Sequence, residues 1–329
     1  MSAVPAENGM EFRGFRIELP EGSLDIHDLS VGDPDAAAPV VLAVHGITAN
    51  GLSWLCVAEE LFRRRGPGSV RFLAPDLRGR ACSRYASGPY GLGTHADDVL
   101  AIADVFGARP VLVGHSMGAF ATALASSRAP ERVAGSVLVD GGFGLPPPPD
   151  LDIDASLTAV IGPAMTRLSM RFASPDAYLD FWRAHPALGP ALDGPRGPEI
   201  RRYALHDLIE TAAGDWVSSC VLDAIRADGA DTLAHEEVHT GAAKGVAAGV
   251  PTEFLWAPRG LLNEPQGLYD EGRITALGLP REIRVTQIPD VNHYTAVFDP
   301  AGTETVVDAI ERRLDEASLG GAASGVSGA

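Results

Sequence analysis

Apolar residues along this chain follow two spacings, short continuous runs and longer stretches of helical period. Residues 12–19 and 23–29 alternate weakly on either side of Pro20-Glu21-Gly22, which predicts an antiparallel hairpin. Residues 39–44 are apolar without interruption, the pattern of a strand buried on both faces, and the run ends at His45-Gly46. From there helices and strands take turns. Residues 53–65 carry Trp54, Val57, Ala58, Leu61 and Phe62 at helical spacing and stop before Gly66-Pro67-Gly68. A strand over 70–74 ends at Pro75-Asp76. A helix is expected over 94–106, with Thr94 as N-cap and Asp97 in the first turn. Strands over 110–113 and 133–139 bracket a helix over 117–127. This alternation with short links predicts an α/β protein with a mostly parallel sheet covered by helices on both faces.

After Asp140 the rhythm breaks. Gly141-Gly142-Phe143-Gly144-Leu145 leads into four prolines at 146–149. From there to about Gly229 helical segments carry Met165, Met170, Phe172, Tyr178, Phe181, Trp182 and Trp216, with no clear strand. Helices without strands inside a sheet protein read as an inserted cap. Strand rhythm returns at 250–256 and 283–288, and a last helix is expected over 303–314. The expected organisation is a core from 1–144 and 231–316, a helical cap over 145–230, and a disordered Gly/Ala/Ser-rich tail over 317–329.

A chain of 329 residues has room for one large α/β domain with such an insertion. Its 26 Lys+Arg against 43 Asp+Glu give a net charge of −17, a surface that repels nucleic-acid phosphates and anionic lipid. Neither is an expected partner. Cys56, Cys82 and Cys220 are far apart and odd in number, so they suggest no disulfide framework and no metal-ligand spacing. The N-terminus lacks the basic region and apolar run of a secretory leader, and no apolar run approaches the ~20 residues that span a bilayer. The expected compartment is the cytoplasm. Oligomeric state leaves no mark.

The strongest chemical signal is Gly114-His115-Ser116-Met117-Gly118, a G-x-S-x-G directly after a strand and directly before a helix. Two glycines let the chain turn sharply there, so that the Ser116 hydroxyl projects from the carboxyl edge of the sheet. The Met117 N–H, at the helix start, would face a developing oxyanion. His45-Gly46-Ile47 closes an earlier buried strand, where the Ile47 N–H is the candidate second donor and the His45 ring is expected to orient backbone. A serine hydroxyl is a weak nucleophile until a base removes its proton. The base should lie late in the chain, in a loop after a strand, and His293 in Pro289-Asp290-Val291-Asn292-His293-Tyr294 has that position. His27 lies in the hairpin, His95 near a helix start and His115 within the turn. His185, His206, His235 and His239 fall in the cap or on the helix after it.

In these marks, together with Pro75-Asp76-Leu77-Arg78-Gly79-Arg80-Ala81-Cys82-Ser83, the chain resembles the α/β-hydrolase superfamily. The resemblance is to its capped, lipase-like members, which include esterases, lactonases, haloperoxidases and carbon–carbon bond hydrolases, and it runs in order from about residue 12 to 315. It implies an α/β-hydrolase fold of about eight strands, with a helical lid after the sixth. In most relatives the triad acid follows the seventh strand in a segment like W-G-x-x-D. Here that segment reads Trp256-Ala257-Pro258-Arg259-Gly260, with glycine at the acid position. Other relatives carry the acid just beyond the sixth strand, where this chain has Asp140; Glu264 in the later loop is the alternative.

His235-Glu236-Glu237-Val238-His239 matches the H-E-x-x-H helix of zinc proteases. No further ligand pattern lies nearby and the helix leads straight into a strand, so no metal is expected there, and no organic cofactor is implied. Trp54, Phe143, Met165, Phe172, Trp182 and Trp216 are candidate pocket residues, although most cap aromatics should form the cap's own core. The expected chemistry is acyl transfer to water through an acyl-enzyme. Ser116 is the nucleophile, His293 the base and Asp140 its orienter, with Ile47 and Met117 holding the oxyanion. The expected substrate is a medium-sized, largely apolar small-molecule ester or lactone. A carbon–carbon bond hydrolase of diketones on the same residues, and a non-catalytic binding protein of this fold, are the alternatives.

Overall fold

The computed structural model describes residues 13–19, 22–144 and 152–324. The two weakly alternating runs pair as the antiparallel strands β1 (Arg13–Leu19) and β2 (Gly22–Asp28), with Leu19 opposite Gly22. The continuous apolar run is β3 (Val40–Val44), every residue of it buried. Helix α1 (Leu55–Arg65), strand β4 (Arg71–Pro75), helix α2 (Leu92–Val105), strand β5 (Val111–His115), helix α3 (Met117–Arg128) and strand β6 (Gly135–Val139) follow. Between β6 and the next sheet strand come α4 (Ile153–Ser169), α5 (Pro175–Arg183), α6 (Gly189–Leu192) and α7 (Gly197–His206). A small ribbon of β7 (Leu208–Glu210) and β8 (Trp216–Ser218), then α8 (Leu222–Ala234) and α9 (Glu236–Ala247), complete that excursion. The chain closes with β9 (Thr252–Trp256), α10 (Glu271–Leu277), β10 (Arg284–Gln287) and α11 (Pro300–Ser324).

The main sheet has the order β1-β2-β4-β3-β5-β6-β9-β10. It is parallel from β4 to β10, while β1 and β2 are antiparallel additions at one edge. The period-2 geometry of a strand explains how its continuous apolar runs are used on both sides. Val41 and Ala43 of β3 join Leu61 of α1 and Ile310 of α11 in one core layer. Leu42 and Val44 pack on the other face with Val99 of α2 and Leu124 of α3. The chain crosses the sheet from β4 past β3 to β5, so the carboxyl ends of β3, β5 and β6 lie side by side at a switch point where α/β sheets bind ligands.

The excursion, expected to show no clear strand, holds β7 and β8 as a ribbon whose three-residue strands are too short to express a period. Helix α2 begins at Leu92 rather than behind a Thr94 cap. Its first donors are satisfied from far away, the Gly91 N–H by Asp228 Oδ1 at 2.8 Å and the Leu92 N–H by Asp231 Oδ2 at 2.8 Å. Helix α8 continues past residue 230 to Ala234. The last helix runs to Ser324 instead of ending at 314, across most of the segment expected to be disordered, and alanine, the strongest helix former, is frequent there. The proline run at 146–149 and the final residues 325–329 lie outside the described residues. Among the described residues no helix is long and apolar enough to cross a membrane.

Two buried ion pairs anchor the excursion, one within it and one to the sheet. Arg167 of α4 is paired with Asp207 after α7 and donates to the Thr48 carbonyl at 3.1 Å, in the loop after β3. Asp228 of α8 pairs with the fully buried Arg80 at 2.5 Å and with His95 Nε2 at 2.9 Å. Burial alone would raise the Asp228 pKa, but Arg80 and His95 outweigh it and hold the carboxyl below the ordinary range. A depressed carboxyl contributes stability that is fully present above its unfolded value of about 3.9 and lost as pH falls below it.

Asp228→Ala should therefore lower unfolding free energy by about 3–5 kcal/mol, because it strands the Arg80 charge in the interior. Urea midpoints measure this, and exposed Asp223→Ala on the same helix should shift stability by less than about 1 kcal/mol. The gap between wild type and Asp228→Ala should close as pH is taken below about 4.

Candidate active site

Ser116 occupies the turn between β5 and α3 with φ +56° and ψ −125°, a conformation that side chains other than glycine seldom adopt. The turn is possible only because its neighbours are small. A Cβ on Gly114 would lie 2.3 Å from the Gly118 carbonyl oxygen, and one on Gly118 would lie 2.2 Å from the Val44 carbonyl oxygen. The Ser116 N–H donates to the Val139 carbonyl at 2.9 Å, which pins the turn to the end of β6.

Asp140 follows directly on β6, also at positive φ (+46°), with its own N–H on the Leu255 carbonyl at 2.7 Å. Its side chain is fully buried. Oδ1 accepts the Ala257 N–H at 3.0 Å, and Oδ2 lies 2.7 Å from His293 Nδ1. A carboxylate only accepts, so the His293 proton on this side is on Nδ1 and Nε2 is left free of it. Glu264, the alternative acid, is exposed, and its Oε2 accepts the Leu262 N–H of its own loop at 2.7 Å. The geometry thus brings Asp140 and not Glu264 to His293.

His293 is 4% exposed and is held from several directions. Its N–H donates to the Arg259 carbonyl at 3.1 Å, and its carbonyl accepts from His115 Nε2 at 2.9 Å. The Asn292 side chain shapes the turn, with Oδ1 accepting the Tyr294 and Thr295 N–H groups at 3.0 Å each. Burial, reinforced by the neighbouring His293, holds His115 well below the ordinary imidazole range. It acts here as a neutral donor. His45 is also neutral, pushed down to about 3 by burial. Its Nδ1 donates to the Gly46 carbonyl at 2.7 Å and its Nε2 accepts the Leu77 N–H at 3.0 Å, so the ring organises backbone as expected.

Arg80 connects the two expected oxyanion donors, a link invisible in the sequence. Its Nε donates to the Ile47 carbonyl at 3.0 Å, and its Nη2 reaches Met117 Sδ at 4.0 Å. Ser116, His293 and Ile47 open onto one cavity of about 40 Å³, together with Gly46, Thr48, His115, Ile161, Ala164, Tyr203, Leu261, Tyr294, Val297 and Phe298. None of the six candidate pocket residues lines it. Trp54, Phe172 and Trp182 are buried in the layer under α1 and α11, with Trp216 packed against it. Phe143 stacks edge-on to Phe254, and Met165 packs beside Ile161 and Ala164 without reaching the cavity. Helical patterning identified apolar positions but not which side of the excursion faces the serine.

The two histidines of the H-E-x-x-H match are placed differently. His235 caps α9 from outside and is exposed, while His239 Nε2 donates to the Thr232 carbonyl at 2.8 Å. The thiols are similarly unremarkable for catalysis: Cys56 is buried, Cys220 half-buried and Cys82 exposed.

A family model described as alpha/beta hydrolase fold matches residues 39–295. Lipase LipV of Mycobacterium tuberculosis is 34% identical over 159 residues, which are 48% of this chain and 51% of that protein. An uncharacterized protein of Mycobacterium bovis is 29% identical over 109 residues, 32% of this chain and 30% of that protein. The chain therefore spans about half or less of the curated relatives it matches. Among solved structures, E-2-(acetamidomethylene)succinate hydrolase aligns with a TM-score of 0.66 and 20% identity over 92% of this chain and 99% of that one. A Mycobacterium tuberculosis esterase aligns with a TM-score of 0.63 and 20% identity over 94% and 93%. At that identity both speak to the fold alone.

The tight glycines make a direct prediction. Gly118→Ala drives a Cβ against a main-chain oxygen that cannot rotate away, and should lower stability by about 3 kcal/mol or more, the upper end of overpacking effects. Gly162→Ala, with open space around its Cβ, should be neutral or stabilising by up to about 1 kcal/mol. Urea unfolding of the two variants beside wild type measures both.

Proposed function

The chain belongs to the α/β-hydrolase fold family, and from that premise we propose that it is a serine hydrolase cleaving a carboxylic ester or lactone of a medium-sized, largely apolar small molecule. The observation that carries the reading is the 2.7 Å contact of Asp140 with His293 Nδ1, beside a serine on a strained turn that shares its cavity. With Nδ1 occupied, Nε2 takes the Ser116 proton as the hydroxyl oxygen attacks the substrate carbonyl. Asp140 holds the tautomer and stabilises the imidazolium. The Ile47 and Met117 N–H groups, with Arg80 bracing both residues, hold the oxyanion. His293 returns the proton to the leaving oxygen, and water then releases the acyl group by the same route.

The apolar walls from Ile47, Ile161, Ala164, Leu261, Val297 and Phe298 support an apolar acyl group. A cavity of about 40 Å³ is well short of the roughly 300–1,000 Å³ of ordinary ligand pockets. The substrate therefore enters as the helical cap moves. Helix α4 supplies Ile161 and Ala164 and is kinked at Ile161 (φ −123°, ψ 31°), so its N-terminal half, before the anchored Arg167, is the part to swing. The word lipase in the name of the Mycobacterium tuberculosis relative agrees with ester chemistry.

Steady-state hydrolysis of short- and medium-chain p-nitrophenyl esters and of aliphatic lactones tests this. Wild type should turn over with saturation, and Ser116→Ala and His293→Ala should each lose roughly 10⁴- to 10⁶-fold in kcat. Asp140→Asn should lose about 10⁴-fold, while Glu264→Gln stays at the wild-type level. Loss of colour from dienoate diketones with esters left intact would transfer the site to carbon–carbon bond hydrolysis. Saturable binding of the esters without turnover would make the chain a binding protein.

A further inference from the structure

A second cluster of reactive side chains lies outside the cavity, where β2, the end of β4 and the end of α7 meet. Asp76 follows β4 and is fully buried. His27 Nε2 of β2 approaches Asp76 Oδ2 to 3.2 Å, and His206 Nε2 of α7 approaches the same oxygen to 2.9 Å. The two rings face each other edge-on with centroids 4.8 Å apart, and one donor atom from each of the three residues lies within 4.8 Å of the others. The His27 Nε2 atom is buried, and its 3.2 Å approach to the carboxylate falls outside ordinary hydrogen-bond geometry. Two imidazole nitrogens thus converge on one carboxylate oxygen, the donor set of a two-histidine, one-carboxylate site.

From this we propose that His27, Asp76 and His206 bind one divalent cation of the zinc class. A tetrahedral zinc with bonds of about 2.0–2.1 Å to nitrogen and oxygen sets its ligand atoms about 3.3 Å apart; the two imidazole–carboxylate spacings, 3.2 and 2.9 Å, are near that, and all three atoms lie within 4.8 Å of one another. Two imidazoles and one carboxylate suit zinc, cobalt or nickel, whereas magnesium and calcium prefer oxygen shells. The Cys82 thiol, 4.0 Å from His206 Nε2, adds a soft donor at the margin and strengthens that preference. The carboxylate is already oriented, with the Gly51 N–H on Oδ1 at 2.9 Å and the Cys82 N–H on Oδ2 at 3.1 Å. On binding, the metal forms bonds to both Nε2 atoms and to Oδ2. Any proton held between His206 and Asp76 passes to solvent.

The consequence is mechanical. His206 belongs to the excursion, whereas His27 and Asp76 belong to the sheet, so the ion staples one to the other. Asp76 also holds Gly51, at the start of the turn that follows the loop of Ile47. This inference stands on the fold geometry and is independent of the role assigned to Ser116.

The test uses tag-free, full-length protein stripped with EDTA and titrated with zinc sulfate against a chromophoric chelator. One equivalent should bind and raise the melting temperature, with no such effect from magnesium at equal concentration. His206→Ala and His27→Gln should each weaken zinc by more than about 100-fold, beyond what loss of an outer partner costs. His239→Gln should leave it unchanged. Cobalt(II), read by its tetrahedral d–d bands, gives the same comparison on protein whose circular dichroism matches wild type. Absence of a zinc equivalent on wild type overturns the proposal, and so does an affinity that His206→Ala and His27→Gln leave intact.

Discussion

The hydrogen bond between Asp140 and His293 joins residues 153 positions apart, and much of the molecule is arranged to make it possible. The carboxylate stands on a strained residue at the end of β6, bonded through its main chain to β9. The imidazole hangs in a loop whose turn is set by Asn292 and whose carbonyl is held by His115, the residue before the serine. The serine turn is bonded in its own right to the end of β6. Each of the three groups is therefore referenced to the same three strand ends. A shift of β5 against β6 would disturb all of them together. Strain at two residues with positive φ is sustained because fully buried parallel strands surround it.

Buried charge does the second part of the work. Arg80 and Arg167 are both withdrawn from water, each is answered by an aspartate from the excursion, and each reaches a carbonyl in the loop after β3. Such pairs contribute little net stability over an apolar filling, yet removing one partner is heavily penalised. They link α4 and α8 to the loop after β3, with α4 seated over the cavity. The same geometry limits the space beside Ser116 to about 40 Å³, so access to the serine and seating of the excursion are one problem.

Much of this was legible in the chain. The buried runs at 39–44 and 133–139, the glycines on either side of Ser116, and the late histidine each carry a local physical signature, and the sheet strands fell where those signatures pointed. Asp140 was legible through family resemblance combined with the glycine at position 260, while Glu264 could be set aside only from its contacts. What stayed hidden depends on long-range partners. The start of α2 is fixed by Asp228 and Asp231, more than a hundred residues away, and nothing around Thr94 announces it. The bracing role of Arg80 depends on α8. The aromatic residues of the excursion showed helical spacing, but spacing cannot say which neighbour a face meets, and the cavity is lined by others, Ile161, Ala164 and Tyr203 among them.

The central claim is that Ser116 is an activated nucleophile, and intact-mass spectrometry after exposure to a fluorophosphonate addresses it without any assumption about substrate. The account predicts one stoichiometric adduct on wild type, none on Ser116→Ala, and much slower labelling of His293→Ala. An unlabelled wild type, or a Ser116→Ala variant labelled as fast as wild type, would contradict it.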